Sequence, residues 1–267
     1  MRLLTPIIPE PGAPLARANP VAKLGAALVL LVALFASLDG VTAGVVLLGL
    51  LALLPASGLS VGALLGRAWL VGITAISIGV FNVLFAAEQA GPTVVDLGPL
   101  RIGAETLANG AGLALRLLAI ALAGLLATAT SDPIDVADAL IQQLRVSPRF
   151  AIGVLATLRL LPLLAQEWQT LGMARRARGV EAGRSPIAAI RLFAGKLLSL
   201  LVGVIRRGSR MALAMEARGF GALPCRSVAR PQVMRTSDWA WIAGALALAS
   251  AAVAVSLAFG TWRGLFG

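Results

Sequence analysis

Of the 267 residues, 58% are hydrophobic and 13% charged, the formal charge is +11, and the mean hydropathy is +0.90. A soluble domain carries about 25% charged residues, so much of this chain's surface must face lipid. The absence of His and Tyr and the presence of one Cys, Cys225, exclude Ser-His-Asp and Cys-His catalysis, His-bearing zinc or haem sites, and an internal disulfide.

Residues 1–21 hold Pro6, Pro9, Pro11 and Pro14 ahead of the first apolar run. A signal peptide places its apolar region directly behind a short basic start, so this segment reads as a cytoplasmic leader that stays. The apolar stretch from Leu24 to Leu54 is interrupted at Ser37-Leu38-Asp39-Gly40. It is too long for one span, and a bilayer asks for roughly 17 to 25 residues per helix, so it predicts two short spans, 22–36 and 41–55. Further spans are predicted at 68–87, 107–128 and 239–259, the last flanked by Trp239, Trp241 and Trp262 as interfacial anchors. Residues 22–130 then form a four-helix membrane region, and residues 239–267 carry a C-terminal transmembrane helix. Asn82 in the third span suits an interhelical hydrogen bond. Arg116 lies in the fourth, where an ionisable group is a functional candidate that needs a partner; a later start of that span would let it snorkel to the outer interface.

Residues 131–238 hold 16 Lys and Arg against 7 Asp and Glu. The loop at 88–105 holds Arg101 against Glu88, Asp96 and Glu105. The positive-inside rule therefore places 131–238 and the leader, with Arg2, Arg17 and Lys23, in the cytoplasm and the C-terminus outside. Within this segment Asp132-Pro133, Ser147-Pro148 and Ser185-Pro186 each put a capping side chain before a proline at the first helical position. They predict helices over 133–145, 148–178 and 186–218, the second bent at Pro162, and nothing here reads as a strand. Along the third, Ile187, Ile190, Ala194, Leu197, Leu201, Val204, Gly208, Met211 and Met215 alternate spacings of three and four, the seam of a helix packed along another. The apolar stretches 150–165 and 192–205 are short and contain Arg159 and Lys196. They are therefore expected at or below the inner interface rather than across the membrane, with Glu167 paired to a local arginine.

The second and third of these helices end alike. Ala174-Arg175-Arg176-Ala177-Arg178-Gly179-Val180 is followed, 40 residues on, by Ala214-Met215-Glu216-Ala217-Arg218-Gly219-Phe220. One such ending is explained by capping, since Gly relieves a left-handed cap and a cation in the last turn meets the helix dipole. Two copies on consecutive helices point further. The alanines leave room for another protein to reach each guanidinium. Trp168, Leu171 and Arg175 share the face of Arg178, and Met211, Ala214 and Met215 share that of Arg218. An apolar stripe ending in a cation fits a partner's groove with a carboxylate at its end.

These paired Ala-Arg-Gly endings resemble the signature of the transmembrane T component of energy-coupling factor (ECF) transporters, a group that includes the cobalt-transport and biotin-transport permease subunits. Asn19-Pro20-Val21-Ala22-Lys23-Leu24 is similar to the family's Pro-x-x-Lys-Leu start of the first span, and Thr128-Ala129-Thr130-Ser131-Asp132-Pro133 to its Thr-rich lead into the cytoplasmic helices. The resemblance implies an all-α integral membrane protein of about five transmembrane helices plus three cytoplasmic or interfacial coupling helices, in a prokaryotic cell (inner) membrane. It implies a non-catalytic scaffold that passes ATP-driven motion of two cytoplasmic ATP-binding cassette subunits to a small substrate-binding membrane subunit, for uptake of a vitamin or transition-metal ion. It also implies that Ala177, Arg178 and Gly179 dock one ATPase subunit and Ala217, Arg218 and Gly219 the other. The chain has no Gly-x-x-x-x-Gly-Lys-Ser/Thr loop to hold ATP itself, and no cofactor or metal is expected. The charge of 131–238 would also suit a membrane-anchored basic module binding anionic lipid or nucleic acid. Its cations are interleaved with apolar seams rather than gathered on one face, which favours the scaffold and no nucleic-acid partner. An intramembrane hydrolase lacks both His and a close acidic pair within the spans.

Overall fold

A computed structural model describes residues 12–59, 61–86, 91–96, 101–181, 183, 185–220, 231–262 and 264. Arg2, Pro6, Pro9, Pro11 and Cys225 lie outside the described residues. The helices are α1 (Pro14–Arg17), α2 (Pro20–Ala36), α3 (Gly40–Ala52), α4 (Leu54–Ser57), α5 (Val61–Leu84), α6 (Ala104–Ala129), α7 (Pro133–Gln143), α8 (Pro148–Ala177), α9 (Pro186–Ala217) and α10 (Thr236–Ala258). A two-stranded antiparallel hairpin, β1 (Thr93–Asp96) with β2 (Arg101–Gly103), precedes α6. That stretch is expected as a plain loop, although the β-branched Thr93, Val94, Val95 and Ile102 lie on either side of a Gly-Pro pair in the sequence.

Helix α6 is long and apolar enough to cross a membrane, as are the Arg149–Ala177 part of α8, α9 and α10; α2, α3 and the Trp69–Leu84 part of α5 are shorter apolar helices. The chain is thus a multi-pass, all-α membrane protein. Helices α8 and α9 are thus long enough to span where the stretches 150–165 and 192–205, expected at or below the inner interface, are short, because each helix runs unbroken through its cations. Helix α8 also continues through Pro162.

Two compact units make up the chain, Met1–Ala139 with Gln232–Gly267, and Leu140–Pro231. In the first, α6 packs on α2, α3 and α5, while α10 packs on α2 and α3. The core draws Leu30 and Leu34 from α2, Val46 and Leu50 from α3, Leu122 and Leu126 from α6, and Ala245, Ala249 and Ala252 from α10. Small residues let backbones touch: a Cβ on Gly112 of α6 would lie 2.9 Å from Gly40 Cα, and one on Gly79 of α5 would lie 2.7 Å from the Gly110 carbonyl oxygen. The other side of α5 exposes Trp69, Ile73, Ile76, Val80 and Phe81, a face suited to lipid. Asn82 is exposed there and makes no interhelical hydrogen bond among the described residues, contrary to expectation.

In the second unit, α9 has no buried residue among those described. Its expected seam is open: Ile187, Ile190, Leu197 and Leu201 are all exposed. Helix α8 touches α9 through Glu167, Trp168, Gly172 and Arg175, which meet Leu192, Phe193, Gly195, Lys196, Gly203 and Arg207. Ring and cation side chains fill that contact, and bulk there widens the separation between helix axes. The capping readings hold for two helices of three. The Asp132 carboxylate accepts from the Ile134 N–H at 2.8 Å and Ser185 Oγ from the Ala188 N–H at 3.4 Å. Ser147 makes no side-chain cap; its carbonyl alone receives the N–H groups of Phe150 and Ala151.

Candidate functional site

Both long helices of the second unit stop in the same way. Gly179 and Gly219 take φ of +72° and +73°, in the left-handed region that favours glycine. The N–H of Val180 returns to the Arg175 carbonyl (3.0 Å) and that of Gly179 to the Arg176 carbonyl (2.9 Å). At the other end Phe220 returns to Met215 (3.0 Å) and Gly219 to Glu216 (2.9 Å). These are two Schellman motifs, and Arg178 and Arg218 are the C-cap residues with nearly equal dihedrals, φ −90° and −88°. The motif accounts for each glycine and makes no demand on the residue before it. Arg178 and Arg218 are exposed, and neither guanidinium has a partner among the described residues. Neither therefore hydrogen-bonds the last carbonyls of its own helix, as a capping cation would. Ala177 and Ala217 beside them are exposed as well.

The supporting faces divide. Arg175 Nη1 donates to the Leu192 carbonyl at 2.8 Å, and the Trp168 ring meets Phe193 edge-on with centroids 5.2 Å apart. Lys196 Nζ stands 4.0 Å from the centre of the Trp168 ring, a cation–π contact. Trp168 and Arg175 thus join α8 to α9, while Leu171, Met211 and Met215 are half-buried and Ala214 is exposed. A cleft of about 460 Å³ beside the α8 tip is lined by Trp168, Arg175, Arg176, Val180, Phe193 and Lys196, among others. Glu167 Oε2 accepts from Arg207 Nη2 at 3.2 Å, so its expected arginine partner is present.

Two polar clusters sit inside the first unit. Asp39, the N-cap of α3, accepts from the Thr42 N–H (2.7 Å) and Ser256 Oγ (2.7 Å), and Ser37 Oγ also donates to it. Arg116 donates to the Ser37 carbonyl. This gives Arg116 a partner at the α2–α3 turn. At the other end of α2, Lys23 Nζ donates to the Thr130 carbonyl (2.7 Å) and more weakly to that of Ala16 (3.4 Å). Asp238 accepts from the N–H groups of Asn19 (2.9 Å) and Arg235 (2.8 Å).

The family profile of cobalt transport proteins, CbiQ, matches residues 12–227. The chain belongs to the CbiQ family. Among its relatives is the energy-coupling factor transporter transmembrane protein EcfT of Heliobacterium modesticaldum, 33% identical over 160 residues, 56% of this chain and 59% of that protein. EcfT of Bacillus subtilis is 27% identical over 190 residues, 68% of this chain and 69% of that protein. EcfT of Listeria innocua is 32% identical over 161 residues, 57% of this chain and 58% of that protein. The chain spans about three-fifths of the length of the first of these relatives. The CbiQ match encloses both Schellman endings and both passages singled out at the start of α2 and the end of α6. The two passages are separate marks in the sequence and meet in the fold, where Lys23 in one bonds Thr130 in the other. The turn expected at Ser37-Leu38-Asp39-Gly40 also holds the N-cap of α3, signalled by an Asp ahead of Gly40-Val41-Thr42.

Proposed function

We propose that this chain is the membrane scaffold of an ECF-type importer, non-catalytic itself, which joins two ATP-binding cassette subunits to a small substrate-binding membrane subunit. The observation that carries the reading is the pair of congruent helix ends, each presenting an exposed arginine, unpartnered among the described residues, between an alanine and a left-handed glycine. Two equivalent tips suit two equivalent partners. An arginine that its own helix does not use is available to a carboxylate in a partner's groove, where a bidentate pair gives geometry as well as attraction. The relatives' names support an energy-coupling factor system, and the open apolar faces of α8 and α9 support burial against other subunits. In this reading residues 131–238 and the leader lie on the cytoplasmic side. The transported vitamin or metal ion is selected by the small membrane subunit.

The test is purification in mild detergent with mass spectrometry of the associated chains. Two ATPase chains and one small membrane protein are expected, and recovery of the chain alone from its native membrane would overturn the assignment. Cysteine labelling in intact cells, with Cys225 replaced, checks the orientation: a cysteine at Ser185 should be shielded from outside reagents.

A further inference from the structure

The chain passes between its two units twice, after Ala139 and before Gln232, and one buried cluster holds it on both occasions. Ahead of the first passage, Lys23 Nζ donates to the carbonyl of Thr130, the residue that ends α6 just before α7. After the second, Asp238 in the first turn of α10 accepts from the backbone N–H of Asn19, the residue that caps α2. Gln232 Nε2 joins the two passages directly by donating to Asp135 Oδ1 at 3.3 Å. Lys23 and Asp238 are each 4% exposed, and the charges of Asp135 and Asp238 both attract Lys23.

Such a cluster is mechanically stiff. Its charge-assisted bonds cannot be traded for water without exposing buried groups. A connecting segment without such ties opens and stretches locally. Displacement of the Leu140–Pro231 unit pulls on 130–139 and on 232–235, and the cluster ties both segments to the first turn of α2. We propose that the Lys23 cluster is the hand-over point at which motion of the ATPase-docking unit enters the helix bundle, with Lys23 as the positioning residue that makes α2 follow both passages. This rests on the scaffold reading above and adds to it the route taken by the motion.

The experiment uses the assembled complex with Cys225→Ser and an environment-sensitive thiol probe at one of two exposed positions, Leu28→Cys on α2 or Ile205→Cys on α9. Exchange of ADP for ATP should shift the signal at both positions in the parent. In Lys23→Met the Ile205 response should persist while the Leu28 response falls by about tenfold, within the range of coupling between distinct sites, and Lys23→Arg should restore part of it. Asp135→Leu removes the Gln232 bridge at a half-buried position while Lys23 and Thr130 stay bonded, so it serves if Lys23→Met does not fold; it should weaken the Leu28 response less. A full Leu28 response in both variants, or none in the parent, would overturn the hand-over role. ATPase subunits should remain in the Lys23→Met complex. Their absence from the parent preparation would instead count against the scaffold reading itself.

Discussion

The two units of this chain solve the same problem of apolar composition in opposite ways. The bundle closes on itself: α2, α3, α6 and α10 share one core, glycines bring backbones into contact, and buried polar groups such as Asp39, Lys23 and Asp238 find partners within the unit. Among the described residues, the Leu140–Pro231 unit leaves its longest helix without one buried residue, and both of its helix tips present an arginine with no partner. A unit that buries so little of its own apolar surface gains little stability from itself. In the proposed scaffold it is covered by other chains, and substitutions should separate the two behaviours.

The largest effect is expected at Asp39. Asp39→Ala strands Ser37, Ser256 and the Thr42 N–H and leaves Arg116 without its nearby carboxylate. Thermal unfolding of the purified chain in detergent should show a loss of about 3–5 kcal/mol. Next comes Gly112→Val, whose Cβ would press on the Gly40 backbone and should cost about 1–3 kcal/mol. The same change at Gly208 of α9, with nothing within 4 Å, should be tolerated. Glu167→Gln removes an ion pair exposed by about a third on each side, and a loss of under about 1 kcal/mol is expected. The smallest effect on the isolated chain should follow Leu201→Gln, within about 0.5 kcal/mol because that side chain is already exposed, while the yield of assembled complex falls. A large stability loss at Leu201 would erase the contrast between the units.

The difference between the units also marks what the sequence could reveal. The apolar run places α2, and the prolines at 133, 148 and 186 place the starts of α7, α8 and α9, to within a few residues, because helix starts and hydrophobic length are local signals. The 40-residue repeat exposed the two tips for the same reason. Contacts across the chain were out of reach: Lys23 meets Thr130 at a separation of 107 residues and Asn19 meets Asp238 at 219, and no spacing rule links them. The seam on α9 failed differently. A period of three and four reports which residues share a face, but not whether a helix of the same chain covers it.

Retention of ATPase subunits, measured together with thermal stability for Arg178→Ala, Arg218→Ala and the double variant, tests the central claim most directly. Each single change should weaken docking by about 2–5 kcal/mol, since it also leaves the partner's carboxylate unpaired, or roughly 30- to several-thousand-fold in affinity. Stability of the chain itself should stay within about 0.5 kcal/mol, as both arginines are exposed and unpartnered among the described residues. Lysine should restore docking incompletely, because a point charge cannot copy the guanidinium fork. A stability loss of about 0.3–1 kcal/mol, the size of a helix-dipole effect, with the ATPase subunits still bound at parental affinity, would contradict the account and reduce the paired arginines to caps.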